Sequence, residues 1–187
     1  SSARGTALRL PFQGLASRSW VNLAAAALLL FYSAQIILDL IWGNLFGNLG
    51  IDFASFWSAG HLANTSGYGT VYDLQQMAQV QRQLVPERAA CISGRGLIPT
   101  PYLPLFLLPM QLFALLPPAA AAGAWIFLNL LGCIFYLRSF ARRLTGRTLE
   151  HRQLVLFAVS APFFLNMFAG QVNLWLMVCA GEFILAA

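Results

Sequence analysis

A single carboxylate stands at the start of the stretch most able to do chemistry, IDFASFWSAG at residues 51–60. Asp52 begins a predicted helix just beyond an apolar segment long enough to cross a membrane. A carboxylate in that place could act on a membrane-bound substrate. Asp is also among the preferred N-cap residues, so capping of the helix is an equally good interpretation.

A second candidate group is the sequence GQVN at residues 170–173, between two apolar segments. Gln171 and Asn173 supply an amide pair beside backbone N–H groups, and helix N-termini of this kind can hold a phosphate. The alternative is a tight turn whose polar residues satisfy the helix ends. Whether Asp52 and the amide pair can act together depends on the helices and loops that position them.

The composition is that of an integral membrane protein. Hydrophobic residues make up 59% of the 187 residues and charged residues 9%, and the mean hydropathy is +0.69. All eleven cationic side chains are arginine. Most of them flank apolar segments, so we interpret the net charge of +5 as a topology signal and expect no nucleic acid partner. The three cysteines predict no disulfide and no metal site.

The arginines predict the orientation. Three precede the first span, residues 20–42, and this places residues 1–19 in the cytoplasm. Five more lie in residues 138–152, which are expected to form a cytoplasmic loop. Both clusters lie inside only if residues 43–116 are extracytoplasmic and the proline-rich segment 102–116 is re-entrant instead of spanning.

The predicted fold is an all-α integral membrane protein, a multi-span helical bundle of about four spans. The later spans are residues 117–137, 153–169 and 172–187, with a kink near Pro162. The long extracytoplasmic loop carries amphipathic helices and the re-entrant segment. Residues 43–116 and the turn at Gly170-Gln171 therefore share one face. The last span is short and ends without a polar flank, so we expect residues 1–187 to be one membrane domain forming the N-terminal part of a longer protein.

Several other polar residues have structural interpretations. Phe53, Phe56, Trp57 and Gly60 recur at helical spacing and predict an amphipathic helix at the lipid headgroups. Asp73 is expected to cap the next helix. The remaining polar groups lie in apolar segments. Asp39 is expected to reach interfacial water, Glu182 to be a functional candidate whose partner can lie outside this chain, and Asn129 and Asn166 to hydrogen-bond between helices.

Short motifs follow one another in order along the chain: Asp52-Phe53-x-x-Phe56-Trp57-x-Ala59-Gly60, Val71-Tyr72-Asp73, Pro101-Tyr102-Leu103-Pro104, Leu107-Leu108-Pro109, Leu116-Pro117 with Trp125 and Asn129, and Gly170-Gln171-x-Asn173. The ordered set resembles glycosyltransferase family 87 over about residues 20–187, as the N-terminal half of a member. The resemblance implies a GT-C-like fold.

The resemblance also implies an activity: transfer of a sugar, typically mannose, from a polyprenyl-phosphate donor at the extracytoplasmic face, with inversion. The lipid-linked sugar is then a substrate, and no separate cofactor is implied. Asp52 matches the catalytic base of the family, and Gln171 and Asn173 match positions that contact donor phosphate or acceptor. Tyr102 and Trp57 match further substrate-binding positions, although Leu103 stands where the family more usually has proline. The implied location is the bacterial inner membrane.

A second interpretation is a non-catalytic transmembrane subunit, a shortened relative of the enzyme that packs with other membrane subunits in a larger complex. It is motivated by a four-span bundle that is thin for enclosing a prenyl chain. The absence of a charged pore or paired broken helices argues against a transporter. The sequence has no Gly-rich phosphate loop, zinc signature or nucleophile elbow, which argues against a soluble nucleotide-dependent enzyme.

Overall fold

The computed structural model describes residues 18–42, 45–46, 48–84, 98–99 and 104–186. Residues 1–17, Tyr102 and residues 85–97 lie outside these ranges. In the described part the chain is helical, with one isolated bridge between Leu45 and Leu49 and no sheet. The helices are α1 (Arg18–Ile41), α2 (Ile51–Thr65), a 3₁₀ helix (Tyr68–Tyr72), α3 (Leu74–Leu84), α4 (Pro104–Phe113), α5 (Pro118–Thr145), α6 (His151–Ala158), α7 (Ala161–Ala169) and α8 (Asn173–Ala186).

The described helices give two candidate membrane spans, or three if a bent pair counts as one span. Trp20–Ile41 and Pro118–Thr145 are long and apolar enough to cross a membrane, and α6 and α7 form a broken span bent by 60°. Helix α8 is a shorter apolar helix of 14 residues within the described range. The all-helical membrane fold is confirmed, and the described helices supply two or three of the about four predicted spans.

Prolines decide where two of these helices begin. Pro117 is the N-cap of α5 and Pro118 its first residue, as expected where a missing N–H costs least. The break between α6 and α7 falls two residues before Pro162, so the predicted kink is confirmed. Helix α5 continues to Thr145 before Gly146 ends it in a left-handed conformation with φ 71°. The start of the predicted loop 138–152 is therefore helical, because no breaker stands before Gly146.

Helix α2 forms the centre of the core, and the prediction of an amphipathic interfacial helix is wrong for it. Buried residues occur all round the helix, from Phe53 at 0% exposure to Ala59 at 0%. Small residues on the second face allow neighbouring helices to approach. At Gly60 an added Cβ would overlap the backbone carbonyl of Met110 in α4. Helix α2 is therefore packed on several faces, and this packing fixes the position of its first turn.

Asp73 caps α3, as predicted. Its Oδ1 accepts hydrogen bonds from the backbone N–H groups of Gln75 at 2.8 Å and Gln76 at 3.3 Å. These backbone bonds, that of Gln75 first, lower the pKa of the exposed carboxyl. Helix capping therefore accounts for the carboxylate at position 73.

Glu182 has a partner within the chain. Its carboxylate binds the guanidinium of Arg143 through both nitrogens, one of them at 3.0 Å. The expectation of a partner outside this chain is therefore wrong. Tyr136 of α5 donates to the carbonyl oxygen of Val178 at 3.1 Å, and a Cβ at Gly181 would overlap its hydroxyl. These contacts join α5 to α8.

Candidate functional site

Gly50, and not Asp52, is the N-cap of α2. Gly50 has φ 72° and ψ 21°, a left-handed conformation that suits glycine. Its N–H donates to the carbonyl oxygen of Phe168 at 2.6 Å, which ties the start of α2 to the end of α7. The interpretation of Asp52 as an N-cap is therefore wrong. Asp52 lies in the first turn of the helix, where backbone N–H groups favour a negative charge.

The structure brings Asp52, Gln171 and Asn173 together. Gln171 Nε2 donates to Asp52 Oδ2 at 2.5 Å across 119 positions of sequence. Asn173 Nδ2 donates in turn to Gln171 Oε1 at 3.2 Å. An amide whose nitrogen faces a carboxylate and whose oxygen faces a donor has a defined orientation. The three residues form one hydrogen-bonded chain, and their roles stay predictions.

The turn before Gln171 is locked against α2 and α5. Gly170 ends α7 with φ 73°, and a Cβ there would lie 2.7 Å from the Cβ of Phe53. Its carbonyl oxygen accepts a hydrogen bond from Trp125 Nε1 at 3.0 Å. The N–H of Gln171 donates to the carbonyl oxygen of Asn166 at 2.9 Å. A side chain at position 170 would push the turn, and with it Gln171, away from Asp52.

A cleft of about 690 Å³ opens beside this hydrogen-bonded chain. Asp52 is the one charged side chain among its described lining residues. The other polar lining residues are all carboxamides, and the apolar remainder comes mostly from α7. The carboxamides are Gln35, Asn48, Asn166, Gln171 and Asn173, and the apolar residues are Ile51, Pro162, Phe164, Leu165, Phe168 and Ala169.

Helix α1 contributes Gln35 to the lining of the cleft. Tyr32 stacks on Phe164 of α7 with ring centroids 3.8 Å apart and donates to the carbonyl oxygen of Val159 at 3.2 Å. This packing places Gln35, one turn further along α1, at the cleft. Gln35 then donates to Asp39 Oδ2 at 3.5 Å.

Asp39 is a buried acceptor near the end of α1. It is 4% exposed, and its Oδ1 accepts a hydrogen bond from Asn48 Nδ2 at 3.3 Å. The expectation that Asp39 reaches interfacial water is wrong, because the chain folds back after α1 and covers it. Sequence reasoning missed Gln35 and Asn48 as lining residues. The available signal was Gln35 itself, a polar side chain four residues before an aspartate in an otherwise apolar span.

The two buried asparagines do not hydrogen-bond between helices. Asn129 Nδ2 donates to the carbonyl oxygen of Trp125 in its own helix at 2.8 Å. Asn166 is 7% exposed, and neither atom of its side-chain amide has a hydrogen-bond partner among the described residues. The expectation of hydrogen bonds between helices is therefore wrong for both asparagines. Asn166, which lines the cleft, has a side-chain amide that is unpaired within the described ranges.

Trp57 does not line the cleft. It is 8% exposed in the core, donates through Nε1 to the carbonyl oxygen of Leu116 at 3.1 Å, and stacks on His61 with centroids 5.0 Å apart. The structure gives it a packing role. Tyr102 lies outside the described residues. Within the described ranges no group of three or more His, Cys, Asp or Glu side chains could hold a metal ion.

Residues 100–187 match the model of glycosyltransferase family 87. No curated protein and no solved structure matches the chain significantly. The resemblance to this family is thus confirmed over these residues, which are slightly less than half of the chain. Gln171 and Asn173 fall within the matched part, and Asp52 precedes it.

Proposed function

We propose that this protein transfers a mannose-like sugar from a polyprenyl-phosphate donor to an acceptor hydroxyl at the extracytoplasmic face, with Asp52 as the general base. The observation that carries the proposal is the bond from Gln171, inside the matched part of the chain, to the Asp52 carboxylate at the edge of a cleft. A site formed jointly by residues 43–116 and the turn at Gly170-Gln171 requires a contact of this kind between segments that are distant in sequence.

The chemistry follows from the carboxylate. Asp52 takes the proton of the acceptor hydroxyl as that oxygen attacks the anomeric carbon. The bond from the anomeric carbon to the phosphate oxygen breaks, polyprenyl phosphate leaves, and the configuration inverts. An ionised carboxylate only accepts hydrogen bonds, so the donated N–H of Gln171 suits the form that a base needs.

Replacement of Asp52 by Asn tests the mechanism. Asp52→Asn keeps the size of the side chain and removes the base, so transfer should fall by about 10²- to 10⁴-fold. The measurement is incorporation of labelled mannose from polyprenyl-phosphate mannose by membranes that contain matched amounts of protein. Asp73→Asn is the control, because that carboxylate caps α3 away from the cleft, and it should keep full transfer.

Undiminished transfer by Asp52→Asn would contradict the base assignment. Absence of transfer by the unaltered protein, together with copurification at fixed stoichiometry with other membrane subunits, would instead favour the non-catalytic subunit.

A further inference from the structure

The side-chain amide of Asn166 is buried without a hydrogen-bond partner among the described residues, which costs free energy of folding. Its side chain is 7% exposed, lines the cleft, and has no partner among the described residues for either Nδ2 or Oδ1. A buried amide without partners loses its hydrogen bonds to water and gains none in return. A leucine at this position would avoid that loss. The Asn166 amide is therefore suited to hydrogen-bond with a ligand that enters the cleft.

The lining of the cleft indicates what that ligand is. A carboxamide offers both a donor and an acceptor, as a hydroxyl group does. Five carboxamides line the cleft, and none of its described lining residues is cationic. A neutral polyhydroxyl compound matches this pattern.

The apolar lining agrees with a sugar ring. Pro162, Leu165 and Phe168 of α7 lie on the same wall as Asn166. Binding sites for small ligands are mostly apolar with a few placed polar groups that fix the orientation. A sugar ring has apolar C–H faces and a polar hydroxyl edge, which this wall can accommodate together.

We infer that the cleft is a subsite for the hydroxyl groups of a neutral sugar and that Asn166 is a binding residue in it. The inference rests on the proposed transfer reaction and narrows it: Gln171 and Asn173 bind the sugar beside Asn166. Asp52 then lies beside the hydroxyl that it deprotonates.

The test is ligand binding by Asn166→Leu in a detergent without sugar headgroups. The probes are a panel of methyl glycosides, a short-chain isoprenyl phosphate, and the same isoprenyl phosphate carrying mannose, each followed by saturation-transfer NMR. Asn166→Leu should bind sugar-bearing probes about tenfold more weakly, the loss expected for one or two hydrogen bonds. Its melting temperature should be unchanged or higher, because an unpaired buried amide is gone.

Asn129→Leu is the matched control, since it removes a buried asparagine that is paired within α5 and does not line the cleft. It should bind the sugar probes like the unaltered protein. Asn166→Ala serves as the second variant if leucine lowers the melting temperature.

The pattern across probes identifies the source of the sugar. Weaker binding of the methyl glycosides alone indicates the acceptor, and weaker binding of the mannosylated lipid phosphate but not the bare one indicates the donor. Equal losses for bare and mannosylated lipid phosphate, unchanged binding of every sugar-bearing probe in both Asn166 variants, or no binding of any sugar-bearing probe by the unaltered protein would overturn the inference. These outcomes concern binding, so they are distinct from the transfer result that tests Asp52.

Discussion

At the scale of single residues, carboxamides donate hydrogen bonds to two carboxylates, Asp52 at the cleft and Asp39 on α1. Gln171 orients Asp52, while Gln35 and Asn48 orient Asp39. An amide donor fixes the direction of a carboxylate without adding a charge of its own. The amide contacts therefore suit a carboxylate that must accept a proton in the reaction.

Gln171 is on this view a positioning residue for Asp52, and Gln171→Glu tests it. A second carboxylate against Asp52 disfavours ionisation, so the pair holds a proton up to a higher pH. Transfer needs the ionised base, so the acid limb of the kcat profile against pH should move upward by about one unit or more. Gln75→Glu makes the same change on exposed α3 and should leave the profile in place. An unmoved acid limb in Gln171→Glu would show that the amide does not act on the base.

At the scale of elements, α2 shows what the sequence could and could not predict. The helix itself and the aromatic positions were predictable from their spacing. Burial on the opposite face was not, because Ala54, Ser58 and Gly60 carry little hydropathy and matter only for how close a neighbour can come. The contact of Asp52 with Gln171 was predictable only as a shared face, since the turn at Gly170 reaches α2 through backbone contacts that leave no periodic pattern.

The close approach of α2 and α4 makes Gly60 a specific test of this core. Gly60→Ala would drive a methyl group into the carbonyl of Met110 and should destabilise the fold by about 1–3 kcal/mol, as overpacking does. The measurement is thermal unfolding of the purified protein. Gly123→Ala is the matched control, because it lies in α5 with nothing within 4 Å of the added Cβ. It should be neutral or stabilising, since alanine is the better helix former. Equal melting temperatures for Gly60→Ala and the unaltered protein would contradict the packing.

At the scale of the whole molecule, helix α5 separates the cleft from the arginines. Trp125 near its start bonds the turn at Gly170, and Arg143 near its end pairs with Glu182. The 18 helical steps from Trp125 to Arg143 rise roughly 27 Å, close to the thickness of the hydrocarbon core. The two polar regions therefore lie at opposite ends of the bundle. This separation agrees with a cleft at one membrane face and arginines at the other, and the positive-inside rule predicts that the arginines lie in the cytoplasm.

That orientation is open to a direct test with single cysteines in a chain whose three native cysteines are replaced by alanine. Ser66 follows α2 on the side predicted to be extracytoplasmic, and Thr148 follows α5 beside the arginines; both are exposed. A membrane-impermeant thiol reagent applied to intact spheroplasts should label Ser66→Cys and leave Thr148→Cys unlabelled until the membrane is permeabilised. The reverse pattern would put Asp52 and the cleft in the cytoplasm. A lipid-linked donor presented at the outer face could then not reach the base, so the labelling pattern decides whether the proposed reaction can occur where the donor is expected.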